Sequence, residues 1–286
     1  MSSLKTLVQK FKPETTHTVG DGFRVFNFFP GGMPWQTEVS PFILLDYHPP
    51  FEYAPSDVPR GVGAHPHKGF ETVTLLFSGE VQHRDSAGNH GELSAGEVQW
   101  MTAGAGVLHE EKHGAAFSKQ GGILHLIQLW VNLPAKFKNT PPSYQTLTEK
   151  EMPVIELPSN SGTVKLVAGK YADYSGPAKT FTPIVLAEVK LRAEATVTFP
   201  MEEGYTALVL VISGQLMEGL DSGYMGRFSQ TGKDLHLEAV TDAQVIILGG
   251  EPIQEPMVAY GPFVMNSRQE ILQAYTDLQS GKFGVL

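Results

Sequence analysis

The chain has 286 residues, of which 41% are apolar and 18% charged, with 30 glycines and 20 prolines. That is enough for one large domain or two of about 130–150 residues, in a turn-rich, mostly β protein. A formal net charge of −9 disfavours any role built on attraction to phosphate backbones or anionic lipid. The absence of cysteine excludes disulfides, thiolate metal sites and cysteine nucleophiles, so a bound metal must rely on nitrogen and oxygen ligands.

The first residues, MSSLKTLVQKFKPETTHTV, lack the apolar core and small-residue cleavage site of a signal peptide, and no apolar run is long enough to span a bilayer. The cytoplasm is the expected compartment. Gly22 to Phe29 has strand composition and ends at the turn signal Pro30-Gly31-Gly32. Phe42 to Tyr47 reads as a second strand leading into a long Pro-rich loop, HPPFEYAPSDVPRGVG, suited to cover a pocket mouth. Short strands follow at Thr72 to Phe77, Val81 to Asp85, Val98 to Met101, Val107 to Glu111 and Ile123 to Leu133. With turns every 8 to 12 residues, this spacing predicts a sandwich or barrel.

The stretch 135–161 is rich in Pro and polar residues and reads as a linker. The expected organisation is an N-terminal metal-binding domain over 1–134, the linker, and a second β domain over 162–286. Ser267 to Leu278 places apolar residues at 271, 272, 275 and 278, as on one helix face, with Ser267 as N-cap. An internal echo supports two units: GFETVTLLFSGEV from Gly69 aligns without gaps on GYTALVLVISGQL from Gly204, an offset of 135 residues. At that offset His65 falls on Pro200 and His67 on Glu202, so the second copy keeps the architecture and loses the imidazoles.

His65 and His67 stand one residue apart before an apolar run, so both rings leave the same face of an extended strand. His109 and Glu111 repeat that spacing in GVLHEEKH. A lone HxH is more often an ordinary surface or core feature. Its combination with HxE in a β-rich chain favours a metal site formed where the two pairs meet. Three imidazoles and a carboxylate suit Fe(II), Mn(II), Ni(II) or Zn(II) and leave positions open for chemistry. Glu111 is either a ligand or a base toward a bound hydroxyl.

Of the other histidines, His48, His83, His90, His113 and His125 read as turn, surface or satisfied strand residues. His113 is a candidate outer partner, although an exposed histidine is the ordinary expectation. Glu110 should face away from its neighbours, and Glu71 reads as a supporting carboxylate rather than a ligand. Asp46, His48 and Phe51 stand where they either line a pocket or build a loop. The aromatic residues around Trp100 and Trp130, with Phe23, Phe26, Phe28 and Phe29, are mostly core, with some available to wall a flat aromatic ligand.

HPHKGFETVTLL, GEVQWMTAGAGVLHEE, QLWVNLP and GEPIQEPMVAYGPFVMNS with its closing helix together resemble the pirin family of bicupins, over essentially the whole chain. The resemblance implies two cupin (jelly-roll) β-barrels packed together with a short C-terminal helix. It implies one metal, usually iron, held by His65, His67, His109 and Glu111, with Mn, Co, Ni, Cu or Zn as other occupants. Relatives among bacteria open quercetin with O2, and nuclear members in animals act as iron-dependent co-regulators. The implied function is therefore a quercetin 2,3-dioxygenase-type enzyme with Glu111 catalytic, taking a flavonol-like substrate and O2. The alternative is an iron-binding, redox-sensing regulatory protein acting through protein partners. A monomer with no direct nucleic-acid or membrane partner is expected. Glu71 is not expected to ligate, and the usual Pro-x-Gly before the second motif reads Gly104-Ala105-Gly106, both as in that family.

Overall fold

The computed structural model describes residues 4–29 and 36–286, so the Pro30-Gly31-Gly32 turn signal lies outside the described residues. The chain forms two compact units. One comprises Pro13–Gln36, Phe42–Glu149 and Ile253–Leu286, the other Met1–Lys12, Thr37–Pro41 and Lys150–Pro252. These units differ from the expected division at 134 and 162 at both chain ends and in the middle. Leu7–Phe11 pairs antiparallel with Met225–Phe228, which assigns the N-terminus to the later unit. The expected linker is largely built in: Ser143–Leu147 pairs with Val98–Thr102, and Val154–Glu156 with Gly162–Ala168. The closing helix belongs to the earlier unit rather than to the later one.

In the unit holding the histidine pairs, a seven-stranded sheet runs in the order Ser143–Leu147, Val98–Thr102, Phe70–Ser78, Gly122–Asn132, Phe42–Tyr53, Phe23–Asn27 and His17–Val19. A four-stranded sheet orders Gly61–His67, Val107–His113, Glu80–Asp85 and His90–Ser94. Their inner faces meet, because Thr74 and Gln128 of the first sheet reach Glu111 of the second. Phe23, Val25, Leu76, Val81, Leu93, Phe117, Leu124 and Leu126 form apolar core in this unit. The Phe42–Tyr53 strand runs six residues further than expected, so the Pro-rich loop shrinks to 54–60. Its companion is Gly122–Asn132, paired almost along its length.

The other unit has its own seven-stranded sheet, in the order Leu7–Phe11, Met225–Phe228, Thr206–Ser213, Ala243–Gly250, Ile184–Leu191, Gly162–Ala168 and Val154–Glu156. Leu166, Val189, Val197, Phe199, Val209 and Ile247 help fill its interior with apolar side chains. The sequence echo is structural: Phe70–Ser78 and Thr206–Ser213 occupy corresponding positions. Gly69 and Gly204 have φ of 87° and 86°, and Gly79 and Gly214 have 90° and 82°. These are conformations that only glycine adopts without cost. The two leading glycines differ in surroundings. A Cβ on Gly69 would meet Val264 O at 2.0 Å, whereas one on Gly204 meets nothing within 4 Å. Gly204→Ala is therefore expected to cost only backbone strain, about 1–2 kcal/mol. Gly69→Ala should lose distinctly more in a thermal denaturation, and equal losses would contradict this.

The tail helix spans Arg268–Gln279, with Ser267 Oγ accepting from Glu270 N and Glu270 Oε2 accepting from Asn266 N. It buries Ile271, Ala274 and Asp277, and Tyr275 and Leu278 of the expected apolar face pack against the same cluster as Ile271 and Ala274, whereas Leu272 is 68% exposed. Asp277 pairs with Lys68 and Lys282. A second helix, Ala115–Gln120, escaped the sequence pattern because six residues give too little periodicity. Among the described residues no helix is long and apolar enough to cross a membrane.

Candidate metal centre

The two histidine-bearing strands are neighbours. Val107–His113 pairs antiparallel with Gly61–His67, placing His109 opposite His65 and Val107 opposite His67. A register shift beyond His109 brings Glu111 opposite Val62. On its other edge Val107–His113 pairs with Glu80–Asp85, setting Asp85 opposite His109 and His83 opposite Glu111. Two overlapping groups of candidate ligand atoms result, His65 with His67 and His109, and His83 with His109 and Glu111. Within each group the atoms lie no more than 4.8 Å apart. The four residues predicted from spacing thus converge in one region, with His109 common to both groups. His83, expected to be an ordinary strand or surface residue, joins them and is buried.

Hydrogen bonds decide which nitrogen each ring offers. His65 Nδ1 lies 2.9 Å from Gly63 O, and His67 Nδ1 lies 3.4 Å from Pro262 O. A carbonyl oxygen only accepts, so in the neutral rings each Nδ1 carries the proton and each Nε2 keeps its lone pair. His109 Nε2 is buried without a hydrogen-bond partner among the described residues. Burial, and then the neighbouring His65, pull the His67 pKa down to about 3. Burial, followed by His67, His65 and His83, holds His109 well below the usual histidine range. Both rings are therefore neutral near pH 7, the form that ligates. Three inward imidazole lone pairs beside a carboxylate fit a divalent metal, and the unpartnered Nε2 of His109 is accounted for by such an ion.

Glu111 is held from the opposite sheet. Gln128 Nε2 donates to its Oε2 at 2.7 Å and Thr74 Oγ1 to its Oε1 at 3.5 Å. These holders belong to one polar rung across the sheet, where Asn27, Asp46, Gln128, Thr74 and Gln99 are successive partners on five strands. In the second copy the residue 135 positions after Thr74 is Val209, which is buried in apolar core. Asp46 sits in the rung beside Asn27, 2.6 Å from its Nδ2, and burial raises its pKa to about 6.

The centre opens on a cavity of about 380 Å³. Val19, Phe23, Val25, Val62, Leu126 and Trp130 supply much of its apolar wall, and His65, His67, Asp46, Thr74, Glu111 and Gln128 its polar groups. Phe23 and Trp130 are thus wall residues, while Trp100 and Met101 are fully buried. Trp130 stacks on Phe70 and meets the edge of His67.

Glu110 faces the other way, paired with Arg84 and Lys112. His113 is corrected: it is buried, with Nε2 2.8 Å from Gly22 O, rather than exposed. Glu71 is buried and belongs to neither ligand group, accepting instead from Thr102 Oγ1 at 2.8 Å. Burial raises its pKa from 4.5 to about 7. The folded state thus binds more protons than the unfolded state between those values, and stability falls as pH rises through that window. Glu71→Gln removes the dependence. Relative to the variant, the wild type should lose on the order of 2 kcal/mol between pH 4.5 and 8. Parallel stability curves for the two proteins would contradict the assignment.

Two β units, of which only the first carries HxH and HxE on adjacent strands, define a bicupin with, among the described residues, one candidate metal centre. The Pirin family model matches residues 22–131 and the model for the Pirin C-terminal cupin domain matches 186–284. The chain belongs to the pirin family. A Pseudomonas aeruginosa protein named "Putative quercetin 2,3-dioxygenase" is 44% identical over 270 residues, covering 93% of this chain and 94% of the relative. Human pirin is 34% identical over 263 residues, covering 88% and 86%. The crystal structure of a quercetin 2,3-dioxygenase from Acinetobacter baumannii superposes with a TM-score of 0.94 at 42% identity, covering 99% of both chains.

Proposed function

We propose that this protein is a metal-dependent dioxygenase that opens a flavonol ring of the quercetin type with O2. His65, His67, His109 and Glu111 hold one divalent ion, Fe(II) foremost. The observation that carries the proposal is the placement of imidazoles and a tethered carboxylate in the wall of a largely apolar cavity. Its volume of about 380 Å³ falls in the range of small-molecule pockets. The names of the Pseudomonas and Acinetobacter relatives point to the same substrate.

A bound divalent ion supplies Lewis acidity, lowering the pKa of a hydroxyl brought to it. The protein's own residues do the rest. Glu111 accepts the proton leaving the flavonol hydroxyl, and Gln128 and Thr74 keep its carboxylate aimed while it does so. Phe23 and Trp130 flank the flat ring system, and Val62 and Leu126 exclude water from it.

Anaerobically loaded protein given quercetin and air should bleach the flavonol absorbance and release carbon monoxide. Absence of turnover with each of Fe, Mn, Co, Ni and Cu would remove the proposal. Metal binding without oxygen consumption would favour a regulatory role instead. Glu111→Gln keeps the size of the side chain but loses its charge and basicity. Its kcat is expected to fall about 10²–10⁴-fold, and a rate within threefold of wild type would remove Glu111 from proton transfer.

A further inference from the structure

The three candidate imidazole ligands are not anchored alike. His65 and His67 are oriented by backbone carbonyls, of Gly63 and Pro262. Among the described residues no carbonyl is hydrogen-bonded to the His109 ring, and its Nδ1 faces His83 Nδ1 at 3.5 Å. We infer that His83 and Asp85 form a positioning relay that holds His109 in the Nδ1–H tautomer and so aims its Nε2 lone pair at the metal. The inference rests on the metal-site reading above and adds two residues to it.

The relay is built from its far end. Asp85 Oδ1 accepts from the backbone N–H groups of Ala87 and Asn89, each at 2.9 Å, and Oδ2 accepts from Asn89 Nδ2 at 2.9 Å. A carboxyl surrounded by donors is ionised and offers His83 only lone pairs. Its Oδ2 lies 3.5 Å from His83 Nε2, so that nitrogen carries the ring's proton. His83 Nδ1 is then an acceptor, and Gln99 Nε2 donates to it at 3.1 Å. The remaining neighbour of that lone pair is His109 Nδ1, which must bring a proton. His109 Nε2 is left bare and buried, as observed. Tyr144 stacks on the His83 ring with centroids 4.8 Å apart and planes at 28°, fixing it from the side. His83, Asp85, Gln99 and His109 are all buried, so their orientations are not lent by solvent. A carboxylate or carbonyl behind a ligating histidine is a general device for setting tautomer and angle. Here one histidine passes that instruction to another.

The test uses the full chain loaded with Zn(II), which is diamagnetic, and needs no flavonol. Long-range ¹H–¹⁵N correlations of ¹⁵N-histidine protein should report His83 as the Nε2–H tautomer and His109 as Nδ1–H with metal on Nε2. His83 as the Nδ1–H tautomer would overturn the relay without any variant having to fold. His83→Leu should weaken Zn(II) binding about 10–100-fold in chelator competition. His83→Asn, whose amide oxygen takes the place of Nδ1, should restore most of that loss. Unchanged affinity in His83→Leu would also overturn the relay while leaving the metal site intact. A wild type that binds no metal would remove the relay and the metal-site reading together.

Discussion

His65→Ala is expected to lose tightly bound metal and keep its fold. The His65 ring is half-buried, and its hydrogen bond is to Gly63 O, two residues away, so little of the unit hangs on it. Structural sites with four ligands bind zinc with about 10–16 kcal/mol, so one ligand in four is worth roughly 3 kcal/mol, on the order of 100-fold in affinity. Stability of the metal-free protein should change by less than about 1 kcal/mol. The second unit carries the internal control. Thr206–Ser213 repeats the strand and its two glycine turns, while Pro200 and Glu202 stand at the places of His65 and His67. A cupin unit therefore closes without these imidazoles when apolar side chains fill its interior. Melting curves of metal-free wild type and variant, with metal titrations of each, check both halves of the expectation. A variant that unfolds at room temperature while metal-free wild type stays folded would contradict it.

Lys138→Met should be among the most destabilising single changes in the chain. Lys138 is 1% exposed, and its ammonium donates to Gly69 O at 2.8 Å, Asn132 Oδ1 at 2.7 Å and Val264 O at 2.9 Å. Those acceptors lie on the turn after His67, at the end of Gly122–Asn132 and in the Phe263–Met265 strand of the tail. Methionine conserves the volume and leaves all three acceptors without a donor. At roughly 1–3 kcal/mol for each buried unsatisfied group, the expected loss is about 3 kcal/mol or more. In a unit of this size that lowers Tm by about 6–12 °C. Burial pulls the Lys138 pKa down to about 7, against the opposing pull of Glu255 and Glu270, so the comparison belongs at pH 6, where the ammonium form donates three times. The same change should weaken metal binding, because the tail that Lys138 pins also carries Pro262, whose carbonyl orients His67. A Tm within 2 °C of wild type would refute the role.

The candidate ligand pairs were legible because a strand exposes alternate residues on one face, so HxH and HxE announce a shared direction. That the two strands are neighbours was not legible, since pairing between residues some 45 positions apart is set by register rather than by local pattern. His83 and Asp85 have the same i, i+2 signature as the ligands, yet nothing in their neighbourhood separates a buried strand face from an exposed one. Lys138 was missed because a lysine in a polar, Pro-rich stretch reads as solvated. Here the stretch is tied into sheets at both ends by Ser143–Leu147 and Val154–Glu156. The exchange of chain ends between the units escaped for a similar reason. Leu7–Phe11 is an ordinary strand in sequence, and only the available edge at Met225–Phe228 decides where it goes. On the tail helix, the apolar period suggested Leu272 as a core residue, but it is 68% exposed, while Ile271, Tyr275 and Leu278 of the same pattern pack against the Phe263 and Phe283 cluster.

The most direct measurement is anomalous scattering on crystals of the protein as purified, collected on both sides of the iron edge. The account predicts one peak per chain, at about 2.0–2.2 Å from Nε2 of His65, His67 and His109 and from a carboxylate oxygen of Glu111. A peak bounded by other residues, or one inside the apolar second unit, would contradict it.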